Sequence, residues 1–250
     1  MLLPLPTWGQ ITSYHIGNSL TWDSQPLSLE LYGDEFGVPY QAGYHIHNSW
    51  PLKAFINDPN AVTIEPTEQF GKYTDALTNF QWDVVTLQPH TTQSSTLRND
   101  VDSIISIIDL TRSNPANSDT TFYIYEAWPN QQPPSYQVKW TTPLPGGANP
   151  FTEMSRDYFD RLYAQVIQET DAQIRTIPVG EVLYELDRAM TKGKIPGFNT
   201  ITQAYRDNIH LDNRIGRYIA SATTFATLSG VDPLTLYKPP GFVPKNLFTL

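Results

Sequence analysis

Short apolar segments with strand character alternate with helical segments along most of this chain. The strand-like segments are residues 11–16, 40–46, 84–88, 121–125 and 172–177. Helical spacing of apolar residues marks the segments 26–36, 100–112, 151–168 and 213–229. Parallel strands need long crossover connections, which are usually helices that cover both faces of the sheet. The pattern therefore predicts an α/β fold, a three-layer α/β/α sandwich around a central parallel sheet of about five strands.

Two segments interrupt this alternation. Residues 57–78 are polar, and residues 128–150 are rich in proline and contain a pair of adjacent glycines. The chain of 250 residues has the length of one domain, so we predict a single domain over residues 1–250 with these two excursions. The second excursion follows a predicted strand end, where α/β proteins bind ligands. It is expected either to cover a site or to be a rigid surface decoration.

A serine follows the first predicted strand, and an aspartate and a histidine precede the last predicted helix. Ser19 comes directly after residues 11–16 and a Gly-Asn pair, and Asp207 and His210 lie three residues apart. A serine hydroxyl becomes a strong nucleophile when a histidine takes its proton and a carboxylate orients that histidine. Each fragment alone also fits a structural role, as a turn residue or as an acid near a helix N-terminus. Together they predict a serine hydrolase.

These two fragments resemble a known family. Gly17-Asn18-Ser19-Leu20 is similar to the Gly-Asp-Ser-Leu nucleophile block of the SGNH (GDSL-like) hydrolases, and Asp207-x-x-His210 matches the last block of that family. The resemblance implies a flavodoxin-like sandwich in which Ser19 is the nucleophile, His210 the base and Asp207 the acid that orients it. It also implies that no metal or organic cofactor is needed. Carbohydrate acetylesterases, lipases, lysophospholipases and thioesterases all belong to this family.

The two middle blocks of the family differ in this chain. The second block lacks its glycine in the segment 44–50, and the third block, normally Gly-x-Asn-Asp, is replaced by Gln88-Pro89-His90. In the family these blocks supply the donors that bind the oxyanion of the tetrahedral intermediate. A glutamine amide can donate in the place of asparagine. We therefore expect the oxyanion hole to consist of the Ser19 N–H, Asn48 and Gln88, with His90 as the alternative to Gln88.

Aromatic residues follow several predicted strand ends. Trp22, Trp50 and Trp128 lie close in sequence to the expected site, and His90 follows Gln88. Tryptophans around a site can stack on sugar rings or form an acyl pocket, although each alone also fits a packing role. We predict that these four residues bind substrate. The expected substrate is a small-molecule or glycan ester, with a short acyl group such as acetyl on a carbohydrate.

Other functions are compatible with parts of the sequence. His45 and His47 lie two apart on a predicted strand and would face the same side, which would suit a metal-dependent hydrolase. The altered middle blocks would also suit a catalytically inactive carbohydrate-binding protein. A lipase, lysophospholipase or thioesterase of the same fold is a further alternative. The retention of serine, aspartate and histidine together favours the esterase.

Charge and composition limit the partners. The net charge is −9 and the pI is about 4.9, and no basic cluster is present, so nucleic acid is not expected as a partner. No apolar run reaches membrane-spanning length. The proline-broken start at residues 1–6 does not fit a secretory signal, yet the many prolines and aromatic residues are more typical of exported enzymes. A secreted or periplasmic location is therefore slightly favoured over the cytoplasm.

Overall fold

The computed structural model describes residues 9–90, 95–147 and 149–232. Within these ranges a five-stranded sheet forms, with the order β2-β1-β3-β4-β5 and every neighbouring pair parallel. The strands are β1 (Ile11–Gly17), β2 (Tyr40–Ile46), β3 (Val84–Leu87), β4 (Thr121–Tyr125) and β5 (Gln173–Ile177). The predicted α/β fold with a central parallel sheet is confirmed.

Helices connect the strands and flank the sheet. They are α1 (Ser19–Asp23), α2 (Ser28–Phe36), α3 (Leu52–Asn57), α4 (Tyr73–Asn79), α5 (Leu97–Arg112), α6 (Tyr136–Thr141), α7 (Arg156–Glu169), α8 (Val179–Thr191) and α9 (Gly216–Ser229). Helix α7 begins later than the segment 151–168 predicted, because the Ser155 side chain caps it at the Tyr158 N–H. Helices α3, α6 and α8 were not predicted.

The strand order places the carboxyl ends of β1 and β3 side by side. Strand β1 lies between β2 and β3, with Ile16 paired to Leu87 and Gly17 paired to Ile46. All residues of β3 are buried, as expected for a strand covered on both faces. Strands β2 and β3 both come after β1 in the chain, and they lie on opposite sides of it in the sheet. The strand order therefore changes direction at β1, and a crevice opens beyond the carboxyl end of this strand. This is where the chain enters α1.

The two excursions are anchored to the sandwich. The first contains α4 and joins β2 through an antiparallel bridge between Ile46 and Ile64. The second contains α6, where the Tyr136 hydroxyl donates to the Gly180 carbonyl at 2.8 Å. This contact fixes the second excursion against α8. In the described part of the chain, the helices are too short or too polar to cross a membrane.

Candidate active site

The turn between β1 and α1 presents Ser19 at the carboxyl edge of the sheet. Asn18 caps α1, and its side chain accepts a hydrogen bond from the Leu20 N–H at 2.9 Å and donates to the Trp50 carbonyl at 3.1 Å. The Asn18 N–H donates to Gln88 Oε1 at 3.0 Å. A Cβ at Gly17 would lie 2.8 Å from the Gln88 Cβ, so this approach requires glycine. The turn that carries Ser19 is therefore held on both sides.

Ser19, His210 and Asp207 form a continuous hydrogen-bonded chain. The Ser19 Oγ lies 2.9 Å from His210 Nε2, and His210 Nδ1 lies 2.9 Å from Asp207 Oδ2. Ser19 is half-buried, so its hydroxyl remains accessible. This geometry allows His210 to take the serine proton at one ring nitrogen while Asp207 fixes the proton at the other.

Asp207 is held in its ionised form. Partial burial alone would raise the pKa of this carboxyl, but hydrogen bonds from the backbone N–H groups of His210 and Ile209 and from the His210 ring lower the pKa to about 2. Those two backbone bonds measure 2.8 Å and 3.0 Å. A carboxylate that is charged at neutral pH orients the His210 ring and stabilises the imidazolium that forms when His210 accepts a proton.

The second excursion supports the loop that carries Asp207 and His210. The Trp128 indole donates to the Ile209 carbonyl at 2.6 Å, and the Gln131 side chain donates to the Asp207 carbonyl at 2.7 Å. The Gln131 N–H also donates to the Asn208 carbonyl at 2.8 Å. These bonds fix successive carbonyls of the loop, so the segment that leaves β4 positions Asp207 and His210.

A buried carboxylate on α1 connects the serine helix to the histidine loop. Asp23 is fully buried, and its carboxylate accepts hydrogen bonds from the Leu211 N–H at 2.8 Å and from Arg217 Nε at 2.9 Å. Burial raises the pKa of Asp23, although the Arg217 guanidinium and the Leu211 N–H act in the opposite direction. Arg206 lies 3.6 Å from both Asp23 and Asp207. We did not predict this cluster. The only sequence signal was an acid one helical turn after Ser19.

The residues expected in the oxyanion hole have unequal hydrogen-bonding capacity. Ser19 begins α1, so its N–H has no acceptor within the helix. The Gln88 Oε1 accepts from the Asn18 N–H and from the Thr21 hydroxyl, and Gln88 Nε2 donates to the Pro89 carbonyl. These bonds use one of the two N–H groups of the Gln88 amide, and the side chain is buried. The Asn48 N–H donates to the Thr63 hydroxyl, so only the exposed side-chain amide of Asn48 remains as a donor for an oxyanion.

The three tryptophans do not share a surface. Trp128 is fully buried, and its indole N–H donates to the Ile209 carbonyl, which satisfies the buried donor. This corrects its expected placement at the rim. Trp50 is half-buried and stacks on His47 with ring centroids 3.7 Å apart. Trp22 packs edge-on against Tyr44 with centroids 5.3 Å apart. The structure thus leaves Trp22 and Trp50 partly exposed, whereas Trp128 is buried.

A cavity of about 560 Å³ adjoins the histidine loop. We call it the proline cavity; the residues that line it include His90, Pro129, Pro143, Leu144, Met154 and Ile209. Burial lowers the pKa of His90 to about 4, and the nearby charge of His210 acts in the same direction. The His90 ring is therefore neutral at neutral pH. Its Nδ1 has no hydrogen-bond partner among the described residues.

His45 and His47, the pair that suggested a metal site, contact backbone groups and an aromatic ring in the structure. His45 Nδ1 accepts from the Tyr73 N–H at 3.2 Å, and His45 Nε2 lies 2.9 Å from the Ala61 carbonyl. Both ring nitrogens of His45 are therefore engaged by the backbone. His47 lies beyond the end of β2 and stacks on Trp50. This arrangement does not support metal binding by the pair.

Comparison with known proteins gives structural likeness without sequence likeness. Neither a family model nor a curated protein matches the chain. A DUF4886 family protein from Bacteroides uniformis superposes with a TM-score of 0.65 at 18% identity, over 94% of this chain and 90% of that chain. A carbohydrate esterase family 3 protein from Talaromyces cellulolyticus superposes with a TM-score of 0.54 at 11% identity, over 88% and 97% of the two chains. These likenesses show a shared fold.

Proposed function

We propose that this protein is a serine esterase that hydrolyses carboxylic esters through an acyl-serine intermediate. The observation that carries the proposal is the chain of contacts from Ser19 Oγ through His210 to Asp207, with both distances at 2.9 Å. The sequence fragments that resembled a nucleophile block and an acid-base block meet at the carboxyl edge of the sheet. A binding protein without activity would not need this alignment, which argues against the inactive alternative.

The geometry supports a two-step reaction. Ser19 Oγ bonds to the ester carbonyl carbon while its proton passes to His210 Nε2, and the carbonyl electrons form an oxyanion. The oxyanion then collapses, the bond to the alcohol oxygen breaks, and His210 returns the proton to the leaving alkoxide. In the second step a water molecule gives its proton to His210 and attacks the acyl group. The acid leaves, and the proton returns to Ser19.

The oxyanion needs donors at the carboxyl edge of the sheet. We assign the Ser19 N–H as the first donor, since it belongs to the residue that forms the new bond. Gln88 is the second, through the N–H that is not bonded to the Pro89 carbonyl. The exposed side chain of Asn48 is the remaining candidate. Each donor aimed at the developing charge typically contributes about 3 kcal/mol to transition-state stabilisation.

The proposed substrate is an ester with a short acyl group, as expected from the sequence. The reason for expecting a carbohydrate is weaker, because Trp128 is buried and cannot form an aromatic platform with Trp22 and Trp50. The lining of the proline cavity gives a more direct indication of the alcohol.

Covalent labelling tests the proposal. Incubation with a small alkyl fluorophosphonate should attach a phosphonyl group to one serine, and peptide mass mapping should locate it at Ser19. His210→Ala should lower the labelling rate by at least about 10²-fold, because the hydroxyl loses its base. An adduct on Ser49, or no adduct in the folded protein, would reject the assignment.

A further inference from the structure

We propose that the proline cavity binds the alcohol part of the ester, and that this part is an uncharged, mainly apolar group such as an aryl-alkyl or medium-length alkyl alcohol. This inference rests on the proposed serine esterase function. The protein would then select its substrate by the alcohol group and favour an apolar alcohol.

The position of the cavity assigns it to the leaving group. Ile209, which lines the cavity, directly precedes His210, and His90, which also lines it, is close enough for the His210 charge to affect its pKa. The leaving alkoxide must lie within hydrogen-bond reach of His210 Nε2 to receive its proton. The alcohol therefore departs on the histidine side of Ser19. The cavity lies on that side.

The walls of the cavity are mostly apolar. Four prolines, Leu144, Met154 and Ile209 contribute carbon surface, and Leu144 and Met154 are themselves buried. A volume of about 560 Å³ lies within the range of small-molecule sites and exceeds the needs of a methyl or ethyl group. Burial of each additional methylene is expected to improve binding about fourfold. A larger apolar alcohol therefore gains most from this site.

The charged side chains of the lining are Lys139 and Glu153; burial raises the pKa of the Glu153 carboxyl, and the charge of Lys139 lowers it. Because these two charges are opposite in sign, the lining has no net charge that would attract a charged ligand. Lys139 is the cation of the lining, and its ammonium donates to the Asn130 carbonyl at 2.9 Å, to Asn130 Oδ1 at 2.5 Å and to the Gln132 carbonyl. An ammonium has three N–H donors, so these contacts engage all of them. The His90 ring is neutral, because burial lowers its pKa to about 4. This combination suits an uncharged group.

Two ester series separate the alcohol side from the acyl side. The first keeps acetate and varies the alcohol from ethyl to butyl, hexyl and 2-phenylethyl; the second keeps ethanol and varies the acid from acetate to butyrate and hexanoate. We expect kcat/KM to rise at least 30-fold from ethyl to 2-phenylethyl acetate. In the acyl series it should stay level or fall. The alcohols chosen have similar acidity, so the trend reports binding of the alcohol group.

Cavity-filling variants locate the effect. Met154→Trp and Pro143→Trp each place a large side chain in the lining, and Pro143 is exposed, so that variant does not disturb the core. Both should lower kcat/KM for 2-phenylethyl acetate at least 10-fold more than they lower kcat/KM for ethyl acetate. The control is Val138→Trp, at a position 49% exposed on α6 and outside the lining, which should leave both values unchanged.

The outcomes distinguish this inference from the proposed function. If Ser19 is labelled by the fluorophosphonate but selectivity is flat in the alcohol series, or if the tryptophan variants impair long acyl groups instead, the assignment of the cavity is overturned. If Ser19 is not labelled and no ester is hydrolysed, the proposed function itself is wrong. Since the small fluorophosphonate does not need the cavity, its reaction with Ser19 should persist in both variants.

Discussion

The Asp23 carboxylate accepts a hydrogen bond from the Leu211 N–H at 2.8 Å, and 188 positions separate the two residues in the chain. Asp23 lies one turn after Ser19 on α1, and Leu211 directly follows His210. Arg217 on α9 pairs with the same carboxylate at 2.8 Å. The relationship fixes His210 relative to Ser19, so we expect Asp23 to be a positioning residue for the proposed reaction.

Asp23→Asn should therefore lower kcat while leaving KM nearly unchanged. The amide keeps an oxygen for the Leu211 N–H but removes the charge that compensates buried Arg217, so the histidine loop should shift away from Ser19. We expect kcat to fall at least 10-fold, and we expect the free energy of unfolding to fall by about 3 kcal/mol. Kinetics should be measured well below the unfolding transition, with the exposed Asp34→Asn as the control. A folded Asp23→Asn protein with the original kcat would show that Asp23 only stabilises the fold.

Gln88 provides a test of two roles in one position. Its Oε1 holds the Asn18 N–H, and its amide nitrogen is the proposed oxyanion donor. Gln88→Ala removes both groups, whereas Gln88→Glu keeps an acceptor for Asn18 and lacks the amide donor. If the donor role is correct, both variants should lower kcat by about 10²-fold with little change in KM. Retention of kcat by Gln88→Glu alone would assign Gln88 to positioning of the turn.

Chelation separates serine chemistry from metal chemistry. Both ring nitrogens of His45 are engaged by backbone groups, so activity should not depend on a metal held by His45 and His47. Prolonged treatment with EDTA or dipicolinate should leave turnover unchanged, and His47→Ala should cost far less than His210→Ala. Loss of activity on chelation, restored by added zinc, would favour the metal-dependent alternative.

The stability of the protein should depend on Asp100. This carboxyl lies in α5 against the Tyr158 hydroxyl, and burial raises its pKa from 3.8 to about 7, although the bond from Tyr158 acts in the opposite direction. Between these pH values the folded protein holds a proton that the unfolded chain releases. The free energy of unfolding should therefore decrease as pH rises from 4 to 7.

Asp100→Asn should make that decrease shallower, because the amide does not titrate. A single proton contributes at most about 1.4 kcal/mol per pH unit. Urea unfolding at several pH values across this interval measures the slope, with the exposed Asp109→Asn on the same helix as the control. A slope equal to that of the unmodified protein would contradict the role of Asp100. Glu126, whose pKa burial raises to about 7, should account for part of any remaining slope.

The fold was largely predictable because each strand is a short apolar run bounded by turn residues. The five predicted strand segments correspond to β1–β5, with a difference of one residue at three of the ten ends. Helix α8 was missed although its apolar residues recur at helical spacing, and α7 starts where Ser155 rather than an apolar residue sets the boundary. Local pattern therefore identified the strands better than the helix ends.

The site was less predictable because it depends on long-range contacts. Sequence blocks led to Ser19, Asp207 and His210, which the structure brings within hydrogen-bond distance. The partners of Asp23 and the burial of Trp128 depend on residues far away in the chain, and local sequence does not indicate them. The proline cavity is likewise formed by residues from the second excursion, His90 and Ile209, which only the folded chain brings together.

The most direct test of the account is the turnover of p-nitrophenyl acetate by Ser19→Ala. The Ser19 hydroxyl, which is hydrogen-bonded to His210 Nε2, is the proposed nucleophile. The variant should remain folded, with an unchanged circular dichroism spectrum. Its kcat should fall by at least about 10³-fold, with only residual catalysis left. Near-original turnover by the folded variant would contradict the assignment of Ser19 and with it the proposed serine esterase.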